Sequence, residues 1–333
     1  MSANTAFEHL SRSDRDRLRK KKQPEWTAPM LATLTDKRFS DPDWIFERKL
    51  DGERCLVFRK GSSIRLMSRN RKEINDTYPE LVDAFADQTS EDFVVDGEIV
   101  AFAGNTTSFS RLQNRMHLQD PSEARNSGIR VYCYLFDLLH LQGHDTTQLP
   151  LRSRKSLLKS TLSFDDPLRF TTHRNEHGKD SFQKACEKGW EGLIAKDGTS
   201  TYVHSRSRKW LKFKCVNRQE FVIGGYTAPE GKRKGFGAIL IGYNQDGEFR
   251  YAGKVGTGFS DETLETLKDR FDTLERKKSP FADGVREKNA TWVTPNLVCE
   301  VAFTEWTDDG KLRHPRFQGL RRDKDPKEVV RES

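Results

Sequence analysis

Apolar positions along this chain come in short runs, and their rhythm changes about two-thirds of the way along. From Trp44 to about Lys214, strand-like and helix-like periods mix. Trp44-Ile45-Phe46 and Cys55-Leu56-Val57-Phe58 flank the polar stretch Lys49-Leu50-Asp51-Gly52-Glu53-Arg54, which reads as strand, tight Asp-Gly break, strand. Ile64–Ser68 alternates as a strand, and Tyr78–Ala86 has helical spacing through Leu81, Val82 and Phe85. Phe93–Phe102 is a buried strand interrupted by Asp96-Gly97-Glu98. Phe109, Leu112 and Met116 suggest a short helix, and Ile129–Leu141 is the longest apolar run, a core strand. Helices are expected over Ser153–Ser160 and Ser181–Lys188, the second capped by Gly189, and strands over Glu191–Lys196 and Trp210–Lys214.

Past Val216 the pattern turns to short strands at 220–226, 238–243, 249–255 and 297–303, with Asn244-Gln245-Asp246-Gly247 as a hairpin turn. One helix interrupts them, with Ser260 as N-cap and Leu264, Leu267, Phe271 and Leu274 on one face. Short strands around a single helix suit a small Greek-key barrel of the OB type. The expected class is therefore α+β: a domain of mixed and antiparallel sheets with flanking helices, then an OB-fold barrel. The boundaries read as a basic N-terminal tail at 1–26, a first domain at 27–216, a second at 217–328 and a C-terminal tail at 329–333, with the hinge near Cys215–Arg218.

Composition narrows the picture. The 333 residues carry 58 Lys+Arg against 50 Asp+Glu, a net charge of +8, which suits a polyanionic partner and equally a soluble basic enzyme. Five cysteines, an odd number with no C-x-x-C pair, argue against a zinc site or a disulfide framework and fit a reducing compartment. No apolar run reaches the ~18 residues of a membrane span and no signal-peptide core opens the chain, so a soluble intracellular protein is expected.

The candidate chemistry lies in polar residues set into apolar runs. A lysine at an Asp-Gly break, as Lys49 is, can be stripped of water, which lowers its pKa and exposes a nucleophilic amine; a solvated hairpin fits the same stretch. Glu98 and Asp96 are carboxylates in an apolar strand and need a partner: a ribose hydroxyl, a metal-bound water or a structural arginine. Phe136, beside Asp137, could stack a base or fill the core. Glu191 and Lys196 stand five apart on a strand, an odd offset that aims them at opposite faces. Lys212 and Lys214 stand two apart and share a face, an arrangement suited to an anion between them, while Leu211 and Phe213 face the other way. From 204 to 234 nine cations, among them Arg206, Arg208, Lys209, Lys232, Arg233 and Lys234, meet two acids, concentrating charge as a phosphate-backbone contact requires. Arg321, Arg322 and Lys324 close a dense cationic segment.

Together these clusters resemble the ATP-dependent DNA ligases, covalent nucleotidyltransferases, from about residue 28 to 326. The motifs fall in family order: K-x-D-G-x-R at 49–54, S-R-N at 68–70, D-G-E at 96–98, F-D at 136–137, E-G-L-I-A-K at 191–196, R-S-x-x-W-L-K-x-K at 206–214 and R-x-D-K at 321–324. The second domain is similar to that of the bacterial repair ligases of the LigC and LigD group. The resemblance implies a nucleotidyltransferase (adenylation) domain joined to an OB-fold, in which Lys49 attacks the α-phosphorus of ATP, AMP passes to the 5′-phosphate of a nick, and the 3′-hydroxyl displaces it.

By the same resemblance, Glu47 holds the adenine amino group, Phe136 stacks the ring, and Arg54 and Glu98 grip the ribose, with Arg69 near the phosphates or the 5′-phosphate of the nick. Glu191 and Glu98 bind Mg²⁺, or Mn²⁺ in its place. Lys196, Lys212 and Lys214 surround the α-phosphate, and Arg321, Asp323 and Lys324 close over the β and γ phosphates. The implied partner is nicked double-stranded DNA, gripped by Arg206, Arg208, Lys209 and the Lys232-Arg233-Lys234 loop. A cytoplasmic, nucleoid-associated monomer working in DNA repair is expected. With 48 residues before Lys49, a large N-terminal DNA-binding domain and fused polymerase or phosphoesterase modules are not expected. An RNA ligase or capping enzyme shares part of the pattern, and a non-catalytic nucleic-acid-binding protein on the same core is a further alternative. An NAD-dependent ligase is disfavoured by the missing four-cysteine finger.

Overall fold

The apolar runs of the first 215 residues build two sheets. The computed structural model describes residues 6–215, 217–229, 234–285 and 287–332, and the chain divides into two units, Met1–Cys215 and Val216–Ser333. In the first unit, one sheet runs in the order Arg19–Lys20, His144–Asp145, Val131–Leu141, Asp92–Ala103, Glu53–Lys60, Ser63–Ser68. A second runs His173–Asn175, Trp44–Arg48, Gly192–Asp197, Arg206–Lys214, Leu31–Leu34. Because side chains alternate along each strand, each sheet buries two different sets. The outer face of the first sheet (Cys55, Val57, Val95, Ile99, Cys133, Leu135) packs on helices Pro79–Ala86, Phe109–Met116 and Leu151–Thr161. The far face of the second (Phe46, Leu193, Ala195, Leu211, Phe213) packs on helix Gly178–Glu187. Between the sheets lies a third core of Met30, Leu56, Phe58, Met67, Val94, Phe136, Tyr202 and Trp210.

The structure refines the sequence reading at four points. Trp44–Arg48 and Glu53–Lys60 do not form a hairpin: they belong to different sheets, and Lys49–Gly52 carries the chain from one to the other. Gly52 is required at that crossing, because a Cβ there would sit 2.1 Å from the Ile99 carbonyl oxygen. Within the basic N-terminal segment, read as a tail, a short helix forms at Arg12–Arg15 and the described residues are tied to the first unit. Phe7 and Leu10 are buried in the outer core, and Arg19–Lys20 pairs with His144–Asp145. A short helix at Pro121–Asn126, capped by Asp120, was not foreseen. Finally, Cys186 and Cys215 form a disulfide, with Cα atoms 5.3 Å apart, where the odd cysteine count had argued against a disulfide framework. Their pairing follows from topology rather than from spacing: the helix carrying Cys186 packs on the sheet that Cys215 leaves. Cys55, Cys133 and Cys299 are buried and free.

The second unit is an antiparallel sheet ordered Glu248–Val255, Ile239–Gln245, Asn217–Thr227, Ala290–Phe303, Glu275–Arg276, with Arg316–Leu320 also paired to Ala290–Phe303. The α-helix Asp261–Leu274 is capped by the Ser260 hydroxyl accepting from the Thr263 amide, and it buries Leu264, Leu267 and Phe271 as their spacing predicts. Asp246 and Gly247 make the two-residue turn, both at positive φ, as a hairpin of this length demands. This is the expected α+β layout. No helix among the described residues is long and apolar enough to cross a membrane.

Candidate functional site

Register decides which side chains share a face of the second sheet. Ile194 lies opposite both Glu47 and Lys212, Lys196 opposite both Ile45 and Trp210, and Gly192 opposite Lys214. Glu47, Lys196, Lys212 and Lys214 therefore line the same face, while Leu211 and Phe213 turn into the opposite core, as their spacing predicts. Lys49 follows directly on the strand; its amide donates to the Gly192 carbonyl and its Nζ stands 2.5 Å from Glu191 Oε1. Glu191 thus engages Lys49 while Lys196 engages Glu47, and the expected opposite facing is corrected. Gly192 is the reason: it holds φ at 149°, where a Cβ would strike the Phe213 carbonyl oxygen at 1.9 Å, and this turn breaks the strand's alternation.

The deepest part of the site is a charge cluster. Glu47 Oε2 meets Lys196 Nζ at 2.6 Å and its Oε1 meets Lys155 Nζ at 2.5 Å, with all three side chains only 2 % exposed. Burial alone would raise the Glu47 carboxyl, but the two lysines outweigh it and hold it below its usual range. For Lys196, burial wins over Glu47, and its ammonium titrates at about 8. The same ammonium lies 4.1 Å from the ring centres of both Phe136 and Trp210. Lys196 is therefore committed to Glu47 and two aromatic faces, rather than standing beside Lys212 and Lys214 alone.

Arg54 donates to both oxygens of Asp96, at 2.5 and 2.6 Å, and to the Met30 carbonyl, and it lies 4.8 Å from the Phe136 ring centre. Tyr202 also donates to Asp96. Burial pulls the Arg54 guanidinium down, yet Asp96 more than reverses this and keeps it charged. The carboxylate that needed a partner in the D-G-E stretch is thus Asp96, and the partner is a structural arginine. Glu98 lies opposite Arg54 in register and shares its face. Phe136 is the extra residue of a bulge, since Asp137 pairs with Asp96 while Leu135 pairs with Gly97. Bulges re-aim side chains. This one turns the Phe136 ring into the inter-sheet core, and Asp137 is tied behind it by Arg154 at 2.7 and 2.9 Å. Arg69 is half-buried in the turn after Ser63–Ser68.

Elsewhere the expected residues fare differently. Arg206 donates to the Ala32 carbonyl, Lys209 pairs with Asp197 at 2.8 Å, and Arg208 and Lys234 are exposed. Lys232 and Arg233 lie outside the described residues. In the second unit Arg321 is not displayed to solvent. It donates to Asp323 at 2.8 and 2.9 Å and to Glu300 at 3.1 Å, and Lys324 pairs with Glu220 at 3.0 Å. No group of three or more His, Cys, Asp or Glu among the described residues is set to hold a metal.

Sequence reasoning missed Lys155, Arg154 and Tyr202. The first two had a signal: Leu151, Arg154, Lys155 and Leu158 fall at the spacing of a helix's buried stripe, and all four are buried.

Two buried sheets enclosing a lysine, paired carboxylates and a row of cations define a site for transferring an anionic group. The family model described as the ATP dependent DNA ligase domain matches residues 29–214, and that described as the ATP dependent DNA ligase C terminal region matches 232–324. The chain belongs to the ATP-dependent DNA ligase family. It is 38% identical over 318 residues to the multifunctional non-homologous end joining protein LigD of Pseudomonas aeruginosa, covering 93% of this chain and 37% of that protein. It is similar to the structure of a mycobacterial DNA ligase D complexed with ATP and MES, at 36% identity and a TM-score of 0.66, covering 92% of this chain and 98% of that one. The ligase domain of M. tuberculosis LigD is also similar, at 37% identity and a TM-score of 0.50, over the same shares of the two chains. The chain spans about two-fifths of the length of the LigD proteins it matches.

Proposed function

We propose that this chain seals nicks in double-stranded DNA, in the service of DNA repair, by way of an AMP-bound Lys49. The observation that carries the reading is the placement of Lys49, only 18 % exposed and against Glu191, on the face that also presents Lys212 and Lys214. Phosphoryl transfer asks for positioning and charge neutralisation, and this face supplies both. Lys49 Nζ attacks the α-phosphorus of ATP and pyrophosphate leaves; the 5′-phosphate of the nick then takes the AMP, and the 3′-hydroxyl expels it. Glu47 accepts from the adenine amino group, Phe136 stacks on the ring, Arg54 and Glu98 set the ribose, and Lys212, Lys214 and Arg69 face phosphate oxygens.

Glu191 and Glu98 are hard oxygen donors of the kind that hold Mg²⁺, or Mn²⁺, together with substrate phosphates rather than in a closed protein cage. The bound metal would neutralise charge on the transferring phosphate. For Arg321 and Lys324 to reach the β and γ phosphates, they must exchange carboxylate partners for pyrophosphate oxygens. Arg206, Arg208, Lys209 and the 232–234 loop contact the DNA backbone. We extend the reading to a monomer acting on chromosomal DNA in the cytoplasm.

Incubation with ATP labelled at the α-phosphate and Mg²⁺ tests the reaction: the protein takes up label, which nicked DNA then discharges. Absence of label, or label surviving Lys49→Ala, rejects the covalent route. Preferential sealing of nicked RNA would move the reading to an RNA ligase.

A further inference from the structure

We propose that Lys155 is a positioning residue that sets the nucleotide specificity of the site, by holding the Glu47 carboxylate charged and turned so that its other oxygen reads the adenine edge. This inference rests on the reading that Glu47 meets the base.

Lys155 belongs to none of the motifs that frame the site. It comes from the Leu151–Thr161 helix, which packs against the first sheet, yet its side chain reaches Glu47 on the second. Its ammonium is fully engaged by the protein: it donates to Glu47 Oε1 at 2.5 Å and to the Thr171 carbonyl at 3.0 Å, and sits 4.6 Å from the Phe170 ring centre. Thr171 follows that same ring in sequence, and His173, two residues further on, pairs in register with Glu47. Lys155 is therefore anchored from behind by one carbonyl and one ring, and has one carboxylate oxygen to hold. The other oxygen, Oε2, is left toward Lys196, on the side of the Phe136 and Trp210 rings.

Glu47 Oε2 and Lys196 Nζ, 2.6 Å apart, present an acceptor beside a donor. The Watson–Crick edge of adenine presents the complement: the 6-amino group donates and N1 accepts. Guanine reverses both, with O6 accepting and N1–H donating. Guanine would therefore set an oxygen against the carboxylate and an N–H against the ammonium. Sites built to hydrogen-bond one pattern reject the reversed one strongly, because buried polar groups are left unpaired. The discrimination holds only while Glu47 stays ionised in a dry pocket and keeps its orientation. Lys196 cannot supply that alone, since it must turn toward N1 when the base enters. Lys155, which touches no part of the base in this arrangement, can.

The test is adenylation of the full chain, measured as kcat/KM for ATP and for GTP, in K155M, K155R and E47Q. Loss of a charged hydrogen bond predicts that K155M lowers kcat/KM for ATP by about 10- to 100-fold, chiefly through KM, with little change for GTP. K155R, which keeps the charge, should retain most of the selectivity. Selectivity in K155M equal to that of the parent overturns the proposal, as does a K155R loss as large as that of K155M, which would mean packing rather than charge. If K155M does not fold, K155Q carries the same two outcomes. E47Q separates the two readings. Unchanged ATP-over-GTP selectivity in E47Q removes Glu47 from the base. Selectivity lost in E47Q but kept in K155M leaves Glu47 in place and rejects Lys155 alone.

Discussion

The bulge that aims Phe136 is held by one ion pair, and its energetics can be worked from the contacts. Arg154 and Asp137 have side chains with no exposed surface. Arg154 also donates to the Leu149 carbonyl at 2.6 Å and the Ser200 carbonyl at 2.9 Å. Arg154→Gln breaks the pair and costs about 3–5 kcal/mol for the stranded carboxylate, plus about 1 kcal/mol for carbonyls that lose a donor. Asp137→Asn strands the guanidinium and costs about 3–5 kcal/mol. If the effects were independent, the double variant would lose roughly 7–11 kcal/mol, most of the stability of an ordinary domain. Because removing both charges relieves the penalty that each single change creates, D137N/R154Q should instead lose only about 3–4 kcal/mol and be no less stable than R154Q. Two units in one chain make a global melt ambiguous, so the assay is native-state hydrogen exchange of the Val131–Leu141 amides, which reports opening of that strand directly. Self-labelling at Lys49 should fall in step, as Phe136 loses its aim. Additive losses in the double variant, or a change under about 1 kcal/mol in R154Q, would refute the reasoning.

Two further outcomes follow from single positions. Gly52→Ala forces a Cβ to within 2.1 Å of the Ile99 carbonyl oxygen and 2.8 Å of a Val100 methyl, so the crossing between sheets must move; overpacking of this kind costs about 1–3 kcal/mol, and the displaced Lys49 should label roughly 100-fold more slowly, a result that single-turnover adenylation checks and that an unchanged rate contradicts. Lys196 titrates at about 8, below the ordinary lysine value of 10.5, because burial opposes its charge. The unfolded chain therefore binds the extra proton between those two values, and the folded state gains stability as pH rises through that window. Denaturation of the parent and of Lys196→Met across this range should show a rise present in the first and absent in the second; parallel curves would contradict the assignment.

What the chain disclosed before folding, and what it withheld, divides along physical lines. Period-2 and period-3.6 patterns marked most of the strands and helices, because those patterns are local consequences of burial on one face. The face shared by Lys212 and Lys214 was legible for the same reason. What lay beyond reach was anything decided by which sheet a strand joins. The Asp51-Gly52 break reads identically as a hairpin or as a crossing; only the Ile99 carbonyl, 47 positions away from Gly52, distinguishes them. Gly192 gave no warning that it would turn Glu191 onto the Lys49 side, since a glycine's φ is not written in its neighbours. That Glu220 and Glu300 hold Arg321 could not be seen, because strand register, not proximity along the chain, brings those two acids opposite each other.

The charged residues that were missed point to a sharper rule. Arg154 and Lys155 occupy helix positions where spacing demands apolar side chains, and burying an unpaired charge there would cost more than the helix could return. Their presence on the stripe therefore requires acids at depth on whatever the helix packs against. The fold answers with Asp137 for one and Glu47 for the other, one behind the ring expected to stack the base and one expected to read its edge. Cations placed at core spacing thus locate the carboxylates that need them. In this chain Asp137 sits inside a motif that was already visible and Glu47 stands two residues before another, so the helix could have been joined to the site from the sequence by asking which acids would pair with it.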